Sequence, residues 1–232
     1  DADRVVSDKL TFAFNDDDNS LLVNYQNGAY LFIDSVPNNE IANLQSGALK
    51  DQFYVEGQLG TYYLSWNINA NILPKDSKLT GVEAEKAQQE IRNALSLLLD
   101  RNYIVEDVAQ GGQVPAFAFV PMGMKNPDGT DFTETANSTE DDFDGYYDVS
   151  EEAYEANYAA AYETLKKYYE VDENGMFTNF PTLTYLYNTS EGHKAIGEYL
   201  QSALAGVGIT MNLENQEWNT FLNTRKNGDY SV

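Results

Sequence analysis

Residues able to do covalent or acid–base chemistry are sparse in this sequence. One histidine, His193, stands among 232 residues that include no cysteine. A Ser–His–Asp arrangement cannot be anchored on it, and there is no thiol nucleophile. The lack of cysteine also excludes disulfides and thiolate metal sites. Acidic residues are plentiful but scattered, and no pair stands out for two-carboxylate glycoside hydrolysis. Asn15-Asp16-Asp17-Asp18-Asn19 carries oxygen donors yet lacks the central glycine and distal glutamate of a calcium loop, so it reads as a turn. Gly111-Gly112 lacks the lysine and helix start that a phosphate loop needs. Neither catalysis nor a cofactor is expected.

Recognition remains. The net charge is −23, from 37 acidic and 14 basic residues. A field of that sign repels phosphate backbones, so nucleic acid is not an expected partner. No basic membrane-surface helix and no long apolar span is present. Hydrophobic residues make up 42%, enough to bury a sizeable core. The 17 tyrosines and 11 phenylalanines serve either core packing or a stacking surface. The chain opens at Asp1 without Met, and Gly228 to Val232 reads as a helix stop running into a strand. A piece of a longer protein is expected from these ends.

Elements that could position a recognition surface follow from periodicity. Strands are expected at Lys9–Phe14, Tyr30–Ile33 and Thr61–Asn67, with short helices over Leu21–Gln26 and Pro37–Leu44. Thr80-Gly81-Val82-Glu83 reads as a capping box before a helix with Ala84, Ala87, Ile91, Ala94, Leu95 and Leu98 on one stripe. A shorter helix, Tyr103–Val108, is expected next, and residues 125–148 read as a surface loop. Ser150 starts a long helix with Tyr154, Tyr158, Ala161, Tyr162, Leu165 and Tyr169 on one side. Then come a strand at Thr182–Tyr187, a helix capped by Ser190 and closed by Gly206 and Gly208, a strand at Ile209–Leu213, a helix at Gln216–Asn227 and a further strand. That order is βαβαβ, which implies a parallel sheet with right-handed crossovers.

Several segments resemble a known family in its own order. They are Tyr25 to Pro37, Leu59-Gly60-Thr61-Tyr62-Tyr63 with Asn67, Ile91-Arg92-Asn93-Ala94-Leu95-Ser96 with Asp100-Arg101, and Pro115-Ala116 with Pro121. Further on are Leu183-Thr184-Tyr185-Leu186-Tyr187-Asn188-Thr189-Ser190 with His193-Lys194, and Gly208-Ile209 through Asn215-Gln216-Glu217-Trp218 to Arg225. Together these resemble the oligopeptide-binding members of the family 5 extracellular solute-binding proteins. The resemblance covers about residues 8–232.

It implies an α/β fold of the periplasmic-binding-protein type II kind, mostly the second lobe with its parallel βαβ sheet plus a piece of the first. Residues 1–57 would be a partial first-lobe segment and 58–232 an incomplete second lobe, crossing near Gly60. The implied function is capture of extracellular oligopeptides for an ABC importer, with a membrane permease as partner and a monomeric state. The implied place is extracytoplasmic, as a cell-surface lipoprotein or in a periplasm. The rivals are a receptor for another solute, such as an oligosaccharide, and a signalling receptor for peptide pheromones. Carried over position by position, Asn188 lies at a strand's C-terminal end, where open α/β sheets bind ligands. His193 lies in the first turn of the next helix and would meet a peptide's carboxylate end, as would the planar guanidinium of Arg225. Trp218 would wall a side-chain pocket, with Leu222 and Tyr63 also lining the groove. Asp34 and Ser35 would reach the ligand from the first lobe. The 232 residues alone are expected to bind peptides poorly, because the anchor for the peptide ammonium lies outside them.

Overall fold

The computed structural model describes residues 7–135 and 148–232. It divides into two compact units, Asp1–Phe53 and Tyr54–Val232.

In the smaller unit, the acidic run forms a helix cap. The Asp17 carboxylate accepts from the Asn19 amide at 3.0 Å and from the Ser20 hydroxyl at 2.7 Å. Helix α1, Asp18–Gln26, starts there and buries Leu21 and Leu22. Gly28, at φ +75, turns the chain after it. A 3₁₀ turn, Asn38–Glu40, leads into α2, Ile41–Ser46, which buries Ile41 and Leu44. The strands expected at Lys9–Phe14 and Tyr30–Ile33 do not form. Phe12, Phe14, Leu31 and Phe32 are all exposed, and neither segment finds a partner strand among the described residues.

The larger unit is built on α3, Gly81–Leu97, with Ala87, Ile91, Ala94 and Leu95 buried. The expected capping box is not made: Thr80 forms no side-chain cap bond. Gly81 enters the helix at φ +55, a left-handed conformation that spoils the geometry a reciprocal cap needs. Asp100 caps a short turn, α4, Arg101–Tyr103, which runs on as a π-helical turn over Ile104–Ala109 in place of the plain helix expected at Tyr103–Val108. The strand expected at Thr61–Asn67 does not form among the described residues. Of the loop expected at 125–148, Lys125 and Asp131 form an antiparallel bridge and Phe132–Thr135 a short helix, α5. The rest of that loop, 136–147, lies outside the described residues.

Helix α6, Glu151–Leu165, packs on α3. Its expected tyrosine stripe is a core face. Ala161, Leu165 and Tyr169 are buried, while Tyr154, Tyr158 and Tyr162 are half-buried with their apolar bodies inward. Their hydroxyls find backbone partners: Tyr162 donates to Gly175 O at 2.7 Å and Tyr169 to Ile72 O at 2.5 Å. Burial pushes the Tyr169 hydroxyl well above its ordinary pKa.

Strand β1, Leu183–Asn188, pairs in parallel with β2, Met211–Gln216, in the register Leu183↔Met211 through Asn188↔Gln216. Between them runs α7, Glu191–Ala205, with Leu200 and Leu204 buried. Gly208, at φ +85, redirects the chain into β2. Helix α8, Trp218–Asn227, follows and is stopped by Gly228 in the left-handed region. The final residues then bond to the free side of β1. The Val232 amide donates to Thr184 O at 3.1 Å and the Leu186 amide to Val232 O at 2.9 Å, a parallel pattern. The last fifty residues thus follow the expected order through β1, α7, β2 and α8 as a two-stranded parallel sheet, and the further strand expected after α8 is represented among the described residues only by these bonds. No helix among the described residues is long and apolar enough to cross a membrane.

Candidate functional site

Both strands of the sheet end at one edge. The run Leu-Thr-Tyr-Leu-Tyr buries Leu183, Tyr185, Leu186 and Tyr187 and carries the chain out at Asn188, opposite Gln216. The Thr189 amide donates to Gln216 O at 3.0 Å and its hydroxyl lies 3.2 Å from Asn215 Oδ1, which closes the strand ends together. The Ser190 hydroxyl then accepts from the His193 amide at 3.3 Å and starts α7, so His193 sits in the helix's first turn. At the end of β2, the Glu217 carboxylate accepts from the Asn219 amide at 3.0 Å and starts α8 at Trp218.

His193 is half-buried and already partnered. The Tyr62 hydroxyl hydrogen-bonds its Nε2. The two rings stack, with centroids 5.7 Å apart and planes 23° from parallel. The Tyr185 hydroxyl donates to the His193 backbone carbonyl at 3.2 Å. Burial holds the imidazole below its ordinary pKa, and the Asn188 backbone carbonyl pulls it partly back up. The same desolvation pushes the Tyr62 hydroxyl up. Tyr62 is 70% exposed as a residue, and it is the hydroxyl end that lies covered against the imidazole. The neutral forms of both groups are favoured by this arrangement.

On α8, Trp218, Phe221, Leu222 and Arg225 fall on one face by their spacing of three and four. Trp218 stacks on Phe221 at 5.6 Å and 24°, and the Arg225 guanidinium lies 5.6 Å from the Phe221 ring centre. The result is a ladder of ring, ring and cation, with Trp218 52% exposed and Leu222 half-buried. It offers flat apolar surface beside a forked donor, suited to a carboxylate next to an apolar group. Nearby, Gln216 Nε2 donates to Glu214 Oε1 at 2.6 Å, while its own Oε1 is buried without a partner.

The carboxyl edge of a parallel sheet is a place to hold a ligand, and known proteins share this architecture. The family model described as Bacterial extracellular solute-binding proteins, family 5 Middle, matches residues 1–232. The chain belongs to that family. Among curated relatives of this family 5 chain, the dipeptide-binding protein DppE of Bacillus subtilis is 29% identical over 228 residues, 97% of the chain and 36% of the relative. The structure of the Escherichia coli murein tripeptide binding protein MppA superposes with a TM-score of 0.64 at 26% identity, covering 91% of this chain and 35% of that one. The structure of Haemophilus influenzae OppA in complex with RPPGFSPFR gives a TM-score of 0.60 at 25% identity, covering 93% and 36%. The family 5 chain thus spans about a third of the length of the relatives it matches.

Of the residues singled out from sequence, the structure of the family 5 chain gathers Asn188, His193 and the start of α8 with Trp218 at the sheet edge. Leu222 and Arg225 continue along α8. The Tyr63 ring packs on Phe119, with centroids 5.2 Å apart. Asp34 and Ser35 lie in the smaller unit, exposed and outside any helix or strand. The residue that the sequence reading missed is Tyr62. In an extended segment, neighbours point to opposite faces, so the Tyr62-Tyr63 doublet offered two candidates and no local signal to choose between them. Among the described residues, no group of three or more His, Asp or Glu could hold a metal ion.

Proposed function

We propose that this chain is part of the substrate receptor of an ATP-driven importer, which captures oligopeptides outside the cytoplasmic membrane and passes them to a permease. The observation that carries this reading is the family match over residues 1–232, taken with relatives named for binding peptides. On this reading residues 1–57 belong to one lobe and 58–232 to the other, and the receptor works as a monomer, in a periplasm or held at the cell surface by a lipid anchor. Asn188, His193, Trp218, Leu222, Arg225 and Tyr63 line the ligand groove from the second lobe, and Asp34 and Ser35 from the first. Affinity then comes from main-chain hydrogen bonds and the charged peptide ends, with side chains in roomy, wet pockets.

The test uses a polypeptide of the relatives' length that carries these residues. Mass spectrometry of ligand co-purified with it should show mixed peptides, and incubated peptide should come back intact. Calorimetry with a free peptide and its end-blocked form should show loss of binding on blocking. Equal binding of the blocked form, or preferential binding of an oligosaccharide, would overturn the peptide reading. A neighbouring permease and ATPase in the genome separate transport from pheromone signalling.

A further inference from the structure

The imidazole expected to meet a ligand carboxylate is covered in this structure. Its Nε2 is occupied by the Tyr62 hydroxyl, and the Tyr62 ring lies near-parallel and offset beside it, with centroids 5.7 Å apart. A carboxylate needs an N–H at that nitrogen, so it cannot take His193 while Tyr62 is in place. We propose that Tyr62 is a displaceable cap on His193, which a ligand carboxylate must push aside. The proposal rests on the peptide reading above for the nature of the ligand.

The backbone permits such a movement. Tyr62 follows Gly60, where an added Cβ would meet open space. Downstream the chain is clamped at Asn67, whose amide donates to Ser231 O at 2.9 Å and whose side chain donates to Gly228 O and Tyr230 O, both at 2.9 Å. Between these points, no backbone–backbone hydrogen bond among the described residues ties 61–66 to any element. Among the described residues, what holds Tyr62 on His193 is one side-chain hydrogen bond and one offset ring contact. Both can be exchanged for a ligand without melting a strand or helix. The cap therefore makes Tyr62 a specificity-determining residue. Ligands whose carboxylate ends at His193 must displace it, and ligands ending elsewhere leave it in place. The expected penalty on the first class is about tenfold in affinity, the order of one net hydrogen bond.

His193 is the sole histidine, so its imidazole can be followed alone. The first measurement is the rate of carbethoxylation of His193 by diethylpyrocarbonate in the 232-residue chain, normalised to the neutral fraction from a nitrogen-15 titration. Wild type should react slowly, Tyr62→Phe faster and Tyr62→Ala fastest, with circular dichroism confirming that each variant is folded. Equal rates in all three would overturn the cap.

The second measurement, made on a polypeptide of the relatives' length that carries these residues, titrates oligo-alanines of increasing length, and their C-terminal amides, while following the His193 nitrogens and the backbone amides. The acid form of one length class should shift His193 at about tenfold lower concentration in Tyr62→Ala than in wild type, and its amide should not. An acid form that acts on His193 equally in both proteins leaves peptide binding standing and overturns the cap. Shifts at the α8 face with none at His193 leave peptide binding standing but remove His193, and the cap with it. No shift anywhere in either protein overturns the peptide reading and the cap together.

Discussion

Asn67 is the most consequential polar residue of the larger unit, and replacing it with alanine makes a quantitative test of the fold. It is 7% exposed. Its side chain donates to Gly228 O and Tyr230 O at 2.9 Å each and accepts from the Asn69 amide at 3.0 Å. Asn67→Ala removes all three bonds where little water can enter. At about 0.5–1.5 kcal/mol net per bond, the loss is about 2–4 kcal/mol. For a domain of this size each kcal/mol lowers Tm by about 2–4 °C, so the melt should fall by about 4–16 °C. Asn67→Asp keeps the shape but sets a carboxylate against two carbonyl oxygens, and should melt lower still at neutral pH. Hydrogen exchange locates the effect: the Ser231 and Val232 amides, bonded to Thr184 O at 2.9 and 3.1 Å, should lose protection first. A Tm within about 1 °C of wild type with unchanged exchange at these amides would refute the clamp.

Four further outcomes are expected. His193 has a folded pKa below its unfolded value near about 6.5, so the unfolded chain binds more protons in that window. The stabilisation is present above about pH 6.5 and lost as pH falls through the folded value. The groups around it are Tyr62, the Tyr185 hydroxyl and the Asn188 carbonyl, with Glu191 and Lys194 on its own helix. Urea unfolding of wild type and His193→Gln should therefore converge in stability on acidification, and a constant gap would contradict the shift. Gly208→Ala builds a Cβ 2.6 Å from Phe177 O at φ +85 and should cost about 2 kcal/mol or more. Gly60→Ala, which meets open space, should stay within about 0.5 kcal/mol of wild type in the same urea series. Gly197→Ala places a Cβ 2.7 Å from Tyr185 Cε1 and should cost about 1–3 kcal/mol by wedging α7 off β1, read as a lower urea midpoint.

Local pattern carried the sequence reading furthest where partners are close in the chain. Leu183–Asn188 and Met211–Gln216 alternate and flank a capped helix with one apolar stripe, so both the pairing and its parallel sense were legible. The same reasoning failed at Lys9–Phe14, Tyr30–Ile33 and Thr61–Asn67. Aromatic and β-branched residues fit a half-buried pleated surface, and that preference has no effect unless a neighbouring strand supplies the surface. Phe14 at 98% and Leu31 at 96% exposed show propensity without a partner. Thr80 failed for a different reason, since the left-handed Gly81 is a backbone choice that the motif does not encode. At the site, Ser190 fixed the place of His193 by a local cap, whereas Tyr62 meets His193 across 131 positions of chain, beyond the reach of any periodicity.

The Asn67 clamp also sets an order of assembly. Its side chain bonds Tyr230 across a sequence separation of 163. At about 5–20 residues per second of synthesis, the segment around Asn67 leaves the ribosome roughly ten to thirty seconds before its partners exist. β1 waits too, because Ser231 and Val232 complete its second side. Non-local closure of this kind slows folding and leaves the second side of β1 open to other strands in the interval. The larger unit is therefore a late-closing fold, whose vulnerability to misassociation is set by translation rate more than by its final stability.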